Sequence, residues 1–178
     1  MTNISTYSSG KQLLVHCLSE IVKQSTGQFF YANELTTDRP TYPFMTFQTV
    51  IDDHETLADF PDHRTYEIVL QLDAHSTDYW EANQLAKELY EALHDPSYRR
   101  MLKQCRMTVG TTNDVLSHNA MLGANYDYAV GFDATFVVTS GLTFESDDLD
   151  FTYSPHTTIE STTVTDGNNG SQININKN

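Results

Sequence analysis

Positive charge is what this 178-residue chain has least of: Lys and Arg number 10 against 24 Asp and Glu, a formal net charge of -14 at pH 7. Phosphate backbones are held chiefly by Lys and Arg, so this balance disfavours a conventional duplex or single-strand nucleic-acid binder and favours solubility. Cysteine is scarce too, with only Cys17 and Cys105, far apart and in apolar or mixed surroundings. Two packed, reduced thiols are expected, because a structural disulfide is rare in a reducing compartment. No apolar run approaches the roughly eighteen residues of a membrane span. The segment from Met1 to Gly10 is rich in Ser and Thr and lacks the basic-then-apolar order of a signal peptide. The expectation is a soluble protein made in a cytoplasm, with no membrane partner.

Motifs that carry chemistry are also missing. The seven histidines (His16, His54, His63, His75, His94, His118 and His156) are scattered, and neither Cys-x-x-Cys nor His-Glu-x-x-His occurs. Asp52-Asp53-His54-Glu55 with Asp62-His63 comes nearest to a hard-cation site, although neighbouring charges in a turn ordinarily form a solvated loop. There is no Gly-x-Ser-x-Gly elbow, phosphate-binding glycine loop or dinucleotide fingerprint. Cys17 lies on an apolar helix stripe that keeps its thiol protonated. Asp147 and Asp148 lack the dry, rigid setting that would shift a carboxyl pKa. No catalytic, cofactor-binding or metal residue is assigned, and no enzyme is expected.

What the chain does contain is a long period-two strand, Asn125 to Val138, with Tyr126, Tyr128, Val130, Phe132, Ala134, Phe136 and Val138 on one face. Asp127, Ala129, Gly131, Asp133 and Thr135 fall on the other, because successive side chains point opposite ways. A strand of about fourteen residues, against a usual five or six, is expected to reach beyond the core of its own domain. Two further strands, Tyr42 to Ile51 and Arg64 to His75, form an antiparallel pair joined by a long loop. A fourth strand is expected over Arg106 to Leu116.

Helices are equally legible. Leu13, Leu14, Cys17, Leu18, Ile21 and Val22 recur at helical spacing over Ser9 to Gln24, with Ser8 or Ser9 as cap and Gly27 as the stop. Asp78 and Glu81 form a capping box before the stripe Ala82, Leu85, Ala86, Leu89, Ala92 and Leu93, which ends before Pro96. Trp80 and Tyr90 on this helix read as core or rim aromatics. A short helical piece follows from Ser97 to Gln104. The order implies an α+β fold, an antiparallel or mixed sheet with two helices on one face. It occupies residues 1–145.

From 146 to 178 Ser, Thr, Asn, Asp and Gly dominate, and this segment cannot bury enough apolar surface to fold alone. It is either an unfolded tail or an arm in which Leu149, Phe151 and Tyr153 alternate as a strand added to a neighbouring subunit would require. Arg99, Arg100, Lys103 and Arg106 form the one basic concentration. They read as a solvated helix face or as a patch that meets a neighbour's acidic loop. Candidate subunit-interface residues are therefore Tyr126, Tyr128, Phe132, Phe136, Arg99, Arg100, Leu149, Phe151 and Tyr153.

Arg39-Pro40 ahead of Tyr42-Pro43-Phe44-Met45-Thr46-Phe47, the Glu67 to Ala74 strand leading into a capped helix, and Gly131-Phe132-Asp133-Ala134-Thr135-Phe136 carry a likeness in layout and texture over Ser9 to Phe144. In these features the chain resembles the terminator, or tail-completion, proteins of long-tailed bacteriophages. The resemblance implies a structural virion protein that forms a ring at the neck, commonly a hexamer, with no cofactor. Such a ring would end the tail tube and join it to a head-completion or connector protein, with viral DNA passing through an acidic lumen without specific binding. The alternatives are another head–tail joining or tail-tube component, and a small-molecule or peptide binding module.

Overall fold

A computed structural model of the protein describes residues 6–33, 40–55, 64–114, 116–117, 120–122, 125–153, 161–165 and 172–176. Along the chain these form β1 (Thr6–Ser8), α1 (Lys11–Thr26), β2 (Phe30–Ala32), β3 (Phe44–Glu55), β4 (Thr65–Ser76), α2 (Tyr79–His94), α3 (Pro96–Gln104) and β5 (Met107–Thr112). There follow β6 (Leu116–Ser117), β7 (Ala120–Leu122), β8 (Asn125–Thr139), β9 (Thr143–Glu145), a 3-10 turn (Ser146–Asp148), β10 (Ser161–Thr165) and β11 (Gln172–Asn176).

The long strand β8 lies inside the sheet, not at its edge. The main sheet runs β2-β3-β4-β8-β5, with β6 and β7 also bonded to β8. On one side β8 pairs antiparallel with β4 over twelve positions, from Thr65↔Thr139 to Ser76↔Tyr128. On its other side β5, β6 and β7 take successive stretches, Met107↔Val138 at one end and Leu122↔Asn125 at the other. The length that suggested reach beyond the domain is thus satisfied by the chain's own strands. β2 is parallel to β3, which makes the sheet mixed. The stretch expected as one strand from Arg106 to Leu116 is two, β5 and β6, with a register slip inside β5 between Val109 and Thr112 and the Asn113 N–H bonded to Asp133 C=O at 2.9 Å.

Period two decides what the sheet faces are. Tyr66, Ile68, Leu70, Leu72 and Ala74 of β4 and Val130, Phe132, Ala134, Phe136 and Val138 of β8 are all buried. They share one core with the stripes Leu13, Leu14, Cys17, Leu18, Ile21 and Val22 of α1 and Ala82, Leu85, Ala86, Leu89, Ala92 and Leu93 of α2. Each fully buried Leu or Phe side chain contributes roughly 1.5 to 3 kcal/mol, so this layer dominates the stability of the fold. Tyr98, Met101 and Leu102 add α3 to the same layer.

The ends of the helices follow local chemistry, with two departures from expectation. Gly27 closes α1 in the left-handed conformation, φ 72°. At its start neither Ser8 nor Ser9 acts as cap. Gly10 takes the position with φ 127°, and Ser9 is drawn instead into a reciprocal pair with Leu142, N–H to C=O and N–H to Oγ, each 2.8 Å. Asp78 caps α2 through Trp80 N–H (2.7 Å) and Glu81 N–H (3.4 Å). The reciprocal half of the box is replaced: Ser76 Oγ accepts Asp78 N–H at 3.0 Å and donates to the Glu81 carboxylate. Asp95 caps α3 through Ser97 N–H at 2.7 Å, with Pro96 at the first helical position, where its missing N–H costs nothing.

Gly131 is the tightest point of the β4–β8 pairing, since a Cβ there would overlap the Leu72 carbonyl oxygen and the Asp73 carboxylate. Gly131→Ala is expected to cost about 3 kcal/mol, because backbone cannot step aside as a flexible side chain can. Gly110→Ala, whose Cβ would meet nothing nearer than the Thr135 carbonyl at 3.3 Å, should cost about 1 kcal/mol or less. Urea unfolding midpoints of the two variants check the difference.

Candidate functional site

The sheet face turned away from the helices is mixed, with Ile51, Val69 and Val137 among its polar residues. Period two and register gather on it Thr46 and Gln48 of β3, Glu67, Gln71, Asp73 and His75 of β4, and Asp127, Asp133 and Thr135 of β8. Four carboxylates lie on this face, and no Lys or Arg does among the described residues. Asp73 accepts from Gln71 Nε2 at 2.9 Å. At one end of the face His75 bridges three strands. Its Nδ1 is 3.1 Å from Asp127 Oδ2, its Nε2 is 3.0 Å from Thr46 Oγ1, and Phe44 stacks on the imidazole at 4.8 Å. A carboxylate only accepts, so Nδ1 carries the proton and Nε2 accepts the Thr46 hydroxyl when the ring is neutral.

Hydroxyl, imidazole and carboxylate in this order are also the parts of a hydrolytic triad. Here Thr46, His75 and Asp127 are all buried, and the cleft that Thr46 and His75 line with Tyr31, Asn33, Pro40 and Phe44 is small, about 30 Å³. The arrangement suits a polar clasp of β3, β4 and β8 better than a seat for a substrate. Sequence reading missed it because the partners stand 29 and 52 residues from His75, and alternation alone does not give register.

The interface candidates fall into three places. Phe132 (2% exposed) and Phe136 are core residues of the helix-covered face, with Tyr90 edge-on to Phe132 at 5.3 Å. In the folded subunit they are not surface. Tyr128 is half-buried at the start of α2, 6.0 Å from Tyr79, and the Tyr126 backbone pairs with Met121. The side chain of Tyr126 lies outside the described residues. Arg99, Arg100, Leu149, Phe151 and Tyr153 meet at the other end of the helix layer. The chain from Leu149 to Tyr153 is strapped across α1 and α3 by four backbone bonds: Gln24 to Phe151 C=O (2.6 Å) and Tyr153 N–H (3.0 Å), Gln104 to Asp150 C=O (2.5 Å) and N–H (3.1 Å). Leu149 is buried, Phe151 sits edge-on to His16 at 5.2 Å, and Tyr153 lies against Tyr98 at 4.8 Å.

Electrostatics follows the strap. The Thr152 backbone N–H, 2.8 Å from Asp150, holds that carboxyl below the usual range, helped by the Thr152 hydroxyl and by Arg100. Burial, then the neighbouring Tyr153 and Asp95, pushes the Tyr98 phenol up. Arg99 Nε donates to the Leu93 carbonyl at 3.0 Å, and Arg100 lines a cleft of about 170 Å³ with Ser97, Met101, Gln104, Asp150 and Thr152. Beneath this region Cys17 and Cys105 are free thiols with sulfurs 3.6 Å apart. Donation of the Cys17 S–H to Cys105, with burial, pushes the Cys17 thiol up.

Of the cation candidate, Asp52 is paired with Lys11 Nζ at 2.7 Å, while Asp62 and His63 lie outside the described residues. Asp147 and Asp148 are exposed in the 3-10 turn. Trp80 is not a core residue: it stands off the apolar stripe of α2 and is 76% exposed. No described helix is long and apolar enough to cross a membrane.

Fold and surfaces define a small α+β protein, a mixed sheet covered on one face by helices. Residues 12–171 match the family described as phage neck terminator protein, and the chain belongs to that family. It is thus a structural component of the neck or tail of a bacteriophage virion. No curated protein matches the chain.

His75→Ala would leave Asp127 and Thr46 buried without their shared partner and is expected to cost about 3 kcal/mol, whereas Thr46→Val should cost about 1. Thermal unfolding of both variants checks this. Chains ending at Tyr153 and at Glu145 should also differ. The first should melt like the full chain, and the second, stripped of Leu149 and Phe151, should lose roughly 2 kcal/mol or more.

Proposed function

We propose that copies of this chain close into a ring at the phage neck, most simply a hexamer, that ends the tail tube and joins it to a head-completion or connector protein. The observation that carries the proposal is the sheet face without helices, where the part-exposed carboxylates of Glu67 and Asp133 reach the surface beside the buried Asp73 and Asp127. A lumen lined by this face would repel phosphate, so viral DNA would pass without adhering. Six copies at -14 carry about -84, a charge that must face water or the bore for subunits to pack side by side. A ring of identical chains also needs two different, complementary surfaces per subunit. The basic cluster of Arg99, Arg100 and Lys103 is one of opposite sign to the rest of the molecule. The residues after Tyr153, with the β10–β11 hairpin, form an arm under this reading. Catalysis and cofactors play no part in it.

Imaging of the purified chain, alone and mixed with tail tubes, tests the proposal. Rings of about 120 kDa, from six chains of 20.2 kDa, or tubes capped at one end, are the expected result. Tubes that stay uncapped, or virions lacking the chain at the head–tail junction, would overturn it. Glu67→Lys with Asp133→Lys should leave ring mass unchanged and lower the yield of DNA-filled, infectious particles at least ten-fold.

A further inference from the structure

Trp80 is the single tryptophan of the chain and its most exposed large apolar side chain among the described residues. It is not loosely placed. The Trp80 backbone N–H is held by the Asp78 carboxylate at 2.7 Å, and its ring stands edge-on to Tyr79 at 5.4 Å, which in turn meets Tyr128. An exposed aromatic backed by Tyr79 and flanked by Asp78 and Glu81 has the character of a binding anchor and asks for a ring-sized cleft with a cationic rim.

The chain itself carries a cleft of that size and rim. It lies between α3 and the Asp150–Thr152 strap, has a volume of about 170 Å³, and is lined by Met101 and otherwise by the polar Ser97, Arg100, Gln104, Asp150 and Thr152, with Arg100 and Lys103 on the same exposed helix face. Cavities of about 150 Å³ accept a benzene ring, and a guanidinium beside an indole adds cation–π attraction. Asp150 also lines the cleft. Its carboxylate is turned to Thr152 N–H, and the local balance of Arg99, Arg100 and Lys103 remains positive.

Trp80 cannot reach this cleft in its own subunit. It occupies the first turn of α2, and α3 begins beyond the last turn, sixteen residues or about 24 Å further on. We infer that Trp80 of one copy seats in the α3–strap cleft of the next, with Asp78 and Glu81 facing Arg100 and Lys103. Knob and socket lie at opposite ends of one helix, so the contact is head-to-tail, the type that closes rings. The inference rests on the ring reading and names its subunit contact.

Trp80 serves as its own reporter. The full chain is brought to assembly by concentration, or on tail tubes, while mass is followed by light scattering and indole exposure by emission and acrylamide quenching. Assembly should shift the emission to the blue and cut the quenching constant at least three-fold. Trp80→Ala, exposed enough to leave the melting temperature unchanged, should raise the assembly midpoint at least ten-fold. Lys103→Glu should weaken assembly in a salt-dependent way, and Lys103→Glu mixed with a Glu81→Lys partner should recover it. Rings that form normally with Trp80→Ala, or whose Trp80 stays as quenchable as in the monomer, would overturn this contact and leave the ring itself standing. Absence of any assembly, with or without tubes, would overturn both.

Discussion

Everything in this fold depends on β8 having partners on both edges over most of its length. Twelve residues pair with β4, and β5, β6 and β7 share the opposite edge. Backbone groups in a dry sheet centre must be bonded, and a central strand meets that demand only where its neighbours come close. Gly131 lets β4 approach, and Thr46, His75 and Asp127 tie β3, β4 and β8 together on the open face. With this strand held, the apolar side chains of β4 and β8 form one flat surface against which α1 and α2 pack.

The two faces of that sheet answer to opposite solvents. One alternation places Leu, Ile, Phe and Val under the helices, and the other places carboxylates, amides and hydroxyls outside. Interior burial supplies the stability, and the outer face is left to be chosen for other purposes. In the proposed ring, a face that presents carboxylates and no described cation would repel phosphate. Four of the ten cations, Arg99, Arg100, Lys103 and Arg106, are gathered on α3 and the turn after it.

Much of the fold was legible before any coordinates. The stripes of both long helices, the Gly27 stop, the Asp78 cap and the antiparallel pairing of β3 with β4 follow from spacing and from single residues with restricted roles. Local signals misled where a tertiary partner outbid them. Ser9 did not cap α1 because Leu142 engages its backbone and hydroxyl. Leu149, Phe151 and Tyr153 alternate like a strand, yet Gln24 and Gln104 bind their backbone and lay them over α1 and α3. Trp80, grouped with the core or rim by its helix, stands in solvent because its position lies off the stripe.

The sequence by itself determined the class of the chain, its acidic character, its main elements and which side of each strand is apolar, because these depend on charge counts and on periods of 2 and 3.6 residues. Only the tertiary structure decided that β8 is central, that Phe132 and Phe136 are interior, that His75 meets Asp127 and Thr46, and that Trp80 is exposed. Those facts depend on register and on contacts between residues 29 to 129 positions apart, and no local pattern encodes a distance of that kind.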